Sequence, residues 1–141
     1  MNLRIRFLFV SLVLALNAVN IQAQEVMPVI EDEALPYVAL KPGTDLQADA
    51  KMARDKQVPV LIFFSMEHCP FCSIVEEDFL KPMLRNAEYQ SKVIIRKVKI
   101  DDSDFVNDFK GESREASEFS DDYNVSMVPT VVLVDANGKM I

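Results

Sequence analysis

Only two of the 141 residues are cysteine, one is histidine and none is tryptophan. Two cysteines three residues apart, Cys69 and Cys72, are not the multi-bridge framework that braces a small secreted fold. The core must therefore come from apolar packing, and the chain is long and apolar enough for one domain with a real core. Two thiols and a single imidazole, His68, do not fill the four-ligand shell of a structural zinc. Positive charge is also short, with 15 lysines and arginines against 22 aspartates and glutamates. A surface of that sign repels nucleic acid and anionic lipid, so neither is an expected partner. There is no internal repeat, no low-complexity tract and no apolar run long enough for a firm membrane span.

The N-terminus does carry a pattern. Arg4 and Arg6 precede the stretch "FLFVSLVLALNA", after which Asn20 and Gln22 restore polarity before Ala23. A basic start, a short apolar block and a small residue at the end describe a secretory signal peptide over 1–23. Cleavage after Ala23 (or after Ala18) is expected, with a retained anchor as the alternative and no stable membrane insertion once the signal is gone. No cysteine lies near the cut to take a lipid. Removing 23 of the 141 residues leaves 118, and with Arg4 and Arg6 gone 13 basic residues face 22 acidic ones. Export implies a compartment in which disulfides persist.

Residues 24–43 hold Pro28, Pro36 and Pro42 and the acidic triplet Glu31 to Glu33, which reads as a linker ending in a short extended piece, "YVAL". The domain proper is expected over 44–141. "TDLQADAKMARDKQ" has helical spacing, with Thr44 and Gln47 at capping-box separation and Leu46, Ala50 and Ala53 on one face. "VPVLIFF", Val58 to Phe64, is the near-continuous apolar run of a strand covered on both sides. The cysteine segment continues as a helix through Ile74, Val75 and Phe79 until Pro82 bends or ends it. "VIIRKVKI" is the next strand, the acidic 101–111 stretch a loop, and Ser113 the cap of a helix carrying Ala116, Phe119 and Tyr123. "TVVLV" is a further strand and "DANG" a hairpin turn, since Asn-Gly supplies positive φ. Strands alternating with helices define an α/β layered sheet with right-handed crossovers.

The cysteines fall where strand meets helix. Unpaired N–H groups of a first helical turn point toward Cys69 and favour its thiolate, the nucleophilic form. Pro70 suits that turn, which has no use for its missing N–H. Cys72 lies one turn on, within reach of a ring closure to Cys69. So small a ring removes little chain entropy, which makes reversible opening a better reason for the pair than bracing. In that reading Cys69 attacks a partner's disulfide and Cys72 resolves the mixed disulfide. A static local bridge and a metal site are the alternatives. Protonated His68 can stabilise the thiolate or contact substrate, or stand by as a solvated bystander. Glu67, Glu76 and Glu77 oppose the thiolate, and the last two read as the wet face of the helix. Phe71 should be exposed and can serve as a docking contact, while the remaining phenylalanines and methionines read as packing. The acidic "DDSDFVNDFKGESREASEF" lacks the spacing and mid-loop glycine of a calcium loop, leaving a solvated loop that shapes partner choice.

The apolar strand running into "HCPFC", the following helix and "VPT" at the start of the next strand make Val58 to Ile141 resemble the thioredoxin superfamily. Within it the chain is most similar to periplasmic SoxW-type thioredoxin-related proteins, which share a Cys-Pro-aromatic-Cys centre, an acidic insert and a "VPT…D.NGK" ending. The resemblance implies a thioredoxin-like three-layer sandwich, with Cys69 as nucleophile and Cys72 as resolving thiol. It also implies a cis Val128–Pro129 bond that exposes the Val128 backbone in a substrate groove. The implied partners are protein dithiols and disulfides of the periplasm and a membrane thiol carrier of the DsbD or CcdA kind, with no cofactor. The implied activity is that of an exported thiol–disulfide oxidoreductase working as a reductase. A disulfide oxidase or isomerase, and a binding module with a permanent bridge, are its rivals. Three departures stand out. "HCPFC" replaces "WCGPC"; Phe63 stands where the family buries an aspartate, with Lys97 near the place of its lysine partner and expected to be solvated; and the final helix and most of the last strand are missing, so the 141 residues read as a fragment.

Overall fold

A computed structural model describes residues 35–101 and 104–141; the signal segment and most of the linker expected before the domain lie outside the described residues. The sheet is organised around β2, Val60–Ser65, whose six residues are all buried. Parallel to β2 runs β3, Ile94–Lys99, and on the far side of β3 lies the two-residue β1, Lys41–Pro42. On the other side of β2, β6 (Thr130–Val134) runs antiparallel, giving the order β1-β3-β2-β6. The extended piece expected at "YVAL" is displaced: Tyr37 to Leu40 make no strand, and pairing begins at Lys41.

Alternation along β2 sends its side chains to two cores. Val60, Ile62 and Phe64 pack with Leu46 and Ala53 of α1 (Leu46–Lys56) and with Ala116 and Phe119 of α5 (Ala116–Asp121). Leu61 and Phe63 pack on the opposite face with Cys72 and Leu80. Helices thus cover both sides of the sheet, in the expected three layers.

Asp45, rather than the Thr44–Gln47 pair, caps α1; its carboxylate accepts the Ala48 N–H at 3.0 Å. Gln47 turns away to the Lys110 carbonyl. The helix ends where Gln57 takes a left-handed conformation and returns its N–H to Ala53 and Arg54. One charged residue of α1 is buried: Asp49 accepts from one edge of the Arg96 guanidinium of β3, from Nε at 2.7 Å and from Nη2.

The helix after the cysteines does not stop at Pro82. Helix α2, Pro70–Val75, passes into a π turn, Glu76–Leu80, and then into α3, Lys81–Arg85. A proline inside a helix loses one bond and crowds the carbonyl four residues back. The wide turn just before Pro82, where the Lys81 N–H reaches the Glu76 carbonyl, carries the chain past that obstacle. A short α4, Ala87–Gln90, capped by the Asn86 side chain, leads into β3.

The acidic stretch is not a plain loop. It contains a hairpin of β4 (Phe105–Asn107) and β5 (Ser113–Glu115), closed by buried Asp108, whose carboxylate accepts the N–H groups of Lys110 and Glu112. Ser113 therefore lies in a strand, and α5 starts after Glu115 without a side-chain cap. Clustered carboxylates and missing periodicity are what such a side-chain-closed turn looks like in one dimension. The "DANG" turn forms as expected, with positive φ at Gly138 and not at Asn137. Asp135 accepts from the N–H groups of Asn137 and Lys139, which hold its carboxyl below the usual range.

Buried polar groups make two aspects of stability testable. Asp49→Ala leaves Arg96 buried and unpaired, and urea denaturation should show a loss of about 3 kcal/mol, most of it recovered by Asp49→Leu with Arg96→Met. Tyr123 donates to the Gly138 carbonyl at 3.0 Å, and burial raises its hydroxyl to about 12. An unfolded tyrosine ionises near pH 10. The folded state therefore holds the proton more tightly, a stabilisation complete below pH 10 and lost as pH rises toward about 12. In denaturation series across pH, Tyr123→Phe should flatten that loss while costing about 1 kcal/mol at pH 7 for the missing bond.

Candidate active site

Strand β2 carries the chain to Ser65, and three residues, Met66 to His68, turn it into α2. His68 takes a positive φ of 52°, so the chain reverses immediately before Cys69. The turn is pinned by the Glu67 N–H, which donates to Asp101 at 2.7 Å, and by the Glu67 carboxylate, which accepts from Lys99 at 2.5 Å. That bond to Lys99 lowers the Glu67 carboxyl below its ordinary value.

Cys69 is the N-cap of α2, in extended conformation, and Pro70 is the first helical residue. Its Sγ accepts the Cys72 N–H at 3.1 Å, so the side-chain acceptor that a helix start requires is here a sulfur. Cys69 and Cys72 are joined as a disulfide with Cα atoms 5.2 Å apart. The two sulfurs differ in access. Cys72 is 3% exposed and belongs to the core beneath α2, while Phe71 between them is 70% exposed, as expected of a rim residue.

An open cleft of about 500 Å³ runs beside the pair, lined by His68, Cys69, Cys72, Glu76, Lys97 and Lys99 among others. Among the described residues no group of three metal-ligating side chains converges. The Val128–Pro129 bond is cis, and Val128 packs against the core that holds Cys69 and Cys72. Met127 beside it is exposed. The structure thus brings His68, Cys69, Phe71, Cys72 and Val128–Pro129 to one end of the sheet.

The structure corrects three further expectations drawn from the sequence. Lys97 is not a solvated strand lysine: its Nζ donates to Glu76 at 2.6 Å, with only 26% of the lysine and 17% of the glutamate side chain exposed. Glu76 accordingly is not on the wet face of the helix. Its spacing held the signal, since four residues after Cys72 is one helical turn, the same side. Nor are all remaining phenylalanines and methionines packing residues: Phe79, Phe105, Met66 and Met127 are exposed, and so is Ile74. The π turn explains Phe79, because one extra residue in a turn rotates the next side chains away from the α-helical stripe.

With the disulfide reduced, the accessible sulfur at the helix start should react first. Alkylation near neutral pH, followed by peptide mapping, should label Cys69 well before Cys72 and faster than cysteine in a short peptide; equal labelling would contradict this arrangement.

Residues 46–141 match the Thioredoxin-like domain family. No curated protein matches the chain. Among solved structures, a thioredoxin-fold protein from Helicobacter pylori is 24% identical, with a TM-score of 0.48 over 60% of this chain and 56% of that one, so the chain spans little more than half of that protein. Mitochondrial thioredoxin 3 from Saccharomyces cerevisiae, in its oxidised form, is 20% identical over 72% of this chain and 78% of its own, with a TM-score of 0.45. Thioredoxin O2 from Arabidopsis thaliana, also oxidised, is 20% identical over 73% and 83%, with a TM-score of 0.43. A family match across two thirds of the sequence, on a sheet whose central strand delivers a Cys-x-x-Cys pair to a helix start, places this chain in the thioredoxin-like domain family.

Proposed function

We propose that this protein is an exported thiol–disulfide oxidoreductase that reduces protein disulfides through Cys69 and Cys72. The observation that carries the reading is the asymmetry of the pair: Cys69 Sγ receives an N–H from the start of α2 at the cleft, and Cys72 is buried behind it. In the dithiol form that N–H stabilises negative charge on the Cys69 sulfur. The thiolate attacks one sulfur of a partner's disulfide, a mixed disulfide forms, and the partner's other sulfur leaves as a thiolate. Cys72 then attacks Cys69, the partner departs reduced, and the two electrons of the dithiol have passed to it.

His68 and Phe71 stand beside the attacked sulfur in the chain, and the backbone at Val128–Pro129, which packs against the same core as the pair, would receive an extended peptide. The arginines before the apolar N-terminal block support export to the periplasm, where protein disulfides are at hand. A membrane thiol carrier of the DsbD or CcdA kind would restore the dithiol. The direction of flow is set by the reduction potential, for which a value near that of thioredoxin fits a reductase and one near that of DsbA an oxidase.

The test is capture. Incubated with oxidised periplasmic proteins, a Cys72→Ser variant should accumulate mixed disulfides through Cys69 that dithiothreitol releases, and Cys69→Ser should accumulate none. A domain with a permanent bridge and a docking role alone would trap nothing.

A further inference from the structure

Resolution of a mixed disulfide needs a proton acceptor for Cys72, which is buried and must become a thiolate before it can attack. The sheet beneath it offers none at the strand position facing Lys97, because that position is Phe63, fully buried. Lys97 instead reaches across to α2's end, where Glu76 sits one turn beyond Cys72 and lines the same cleft as both cysteines. We infer that Glu76, held over the cleft by Lys97, accepts the Cys72 proton during resolution of the mixed disulfide. This rests on the oxidoreductase reading and adds to it the group that activates the second thiol.

The charged surroundings favour this assignment over the neighbouring acids, of which Glu67 lines the cleft and Glu77 does not. Glu67 is turned to Lys99 and lies on the far side of Cys69, in the turn before the helix. Glu77 faces outward to Lys81. Glu76 faces Lys97 from β3, shares the cleft with His68, Cys69, Cys72 and Lys99, and lies close enough to Lys81 to act on its charge. Its backbone N–H also bonds the Cys72 carbonyl, which fixes the two residues on successive turns. The step balances: the Cys72 S–H gives its proton to the carboxylate, directly or through a water of the cleft. The Cys72–Cys69 bond forms as the Cys69–partner bond breaks, and the leaving thiolate takes a proton from the carboxyl group or solvent.

The experiment uses the reduced full-length protein with a small aromatic disulfide, dithiobis-nitrobenzoate, whose coloured thiolate is released twice. The first release reports attack by Cys69 and the second reports resolution by Cys72. Glu76→Gln keeps an acceptor for Lys97 but cannot take a proton. It should leave the first phase no slower, since loss of a nearby negative charge only favours the Cys69 thiolate, and slow the second about a hundredfold near neutral pH. The slowed phase should rise about tenfold per pH unit, as expected when Cys72 must ionise unaided. Glu76→Asp should restore part of the rate, and circular dichroism should be unchanged in both variants. Both phases present with the second unaltered in rate and pH profile in Glu76→Gln would overturn the inference. Absence of two-phase release in the unmodified protein would instead overturn the oxidoreductase reading itself.

Discussion

Everything at the cleft depends on β2 being buried on both faces. A strand with no solvated side must be apolar at every position, and Val60 to Phe64 meet that requirement without exception. The same burial fixes register, because a one-residue slip would exchange the cores under α1 and under α2. Pairing Phe63 with Lys97 and Ser65 with Lys99 then sets where the strand ends and where the turn to Cys69 begins. Ser65, the last residue of the strand, is itself buried with a hydroxyl that has no protein partner among the described residues.

Placing a thiol pair at the end of such a strand creates an electrostatic difficulty. The segment is rich in acid, and unpaired carboxylates near Cys69 would oppose a thiolate. The fold answers with cations from the neighbouring strand. Lys97 and Lys99 are two residues apart on β3, so both project toward the face covered by α2. They meet Glu76 and Glu67, which bracket the cysteines on either side. Each pair removes one acid from the field at Cys69 without removing it from the cleft. Held by a lysine on a rigid strand, a carboxylate is also fixed in position, which an acid on a free helix face is not.

Much of this was legible in one dimension. The apolar run at Val58 to Phe64, the strand at Thr130 to Val134 and the hairpin at Asp135 to Gly138 were carried by local composition; the last two formed where expected, and the first as a strand that begins two residues later, at Val60, and extends to Ser65. The cysteine pair was legible because backbone geometry alone gives Cys-x-x-Cys at a helix start its meaning. What escaped was decided by tertiary partners. Asp45 displaced the capping box by one residue, and Asp108 turned an apparent loop into a closed hairpin. Lysine usually reads as solvated, and nothing local to Lys97 says that a glutamate 21 positions earlier waits across the interface. The π turn hid Phe79 in the same way, since a pattern of period 3.6 cannot register an extra residue before it is seen.

Phe63, at the position where the resemblance implies a buried aspartate, ties these observations together. A buried acid on the central strand would have to be satisfied within the core, at a desolvation cost met only by a close cation. A phenylalanine there removes that cost and gains apolar contact with Leu61, Cys72, Leu80 and Ile95 in the layer beneath α2. Lys97, paired in register with Phe63, meets its carboxylate on the helix instead. The ion pair moves outward to the cleft wall, where its two partners keep part of their hydration. Core packing and charge placement are therefore one arrangement here: the aromatic ring that completes the sheet's inner face is also what directs a lysine, and through it a carboxylate, toward the cleft that holds the second thiol.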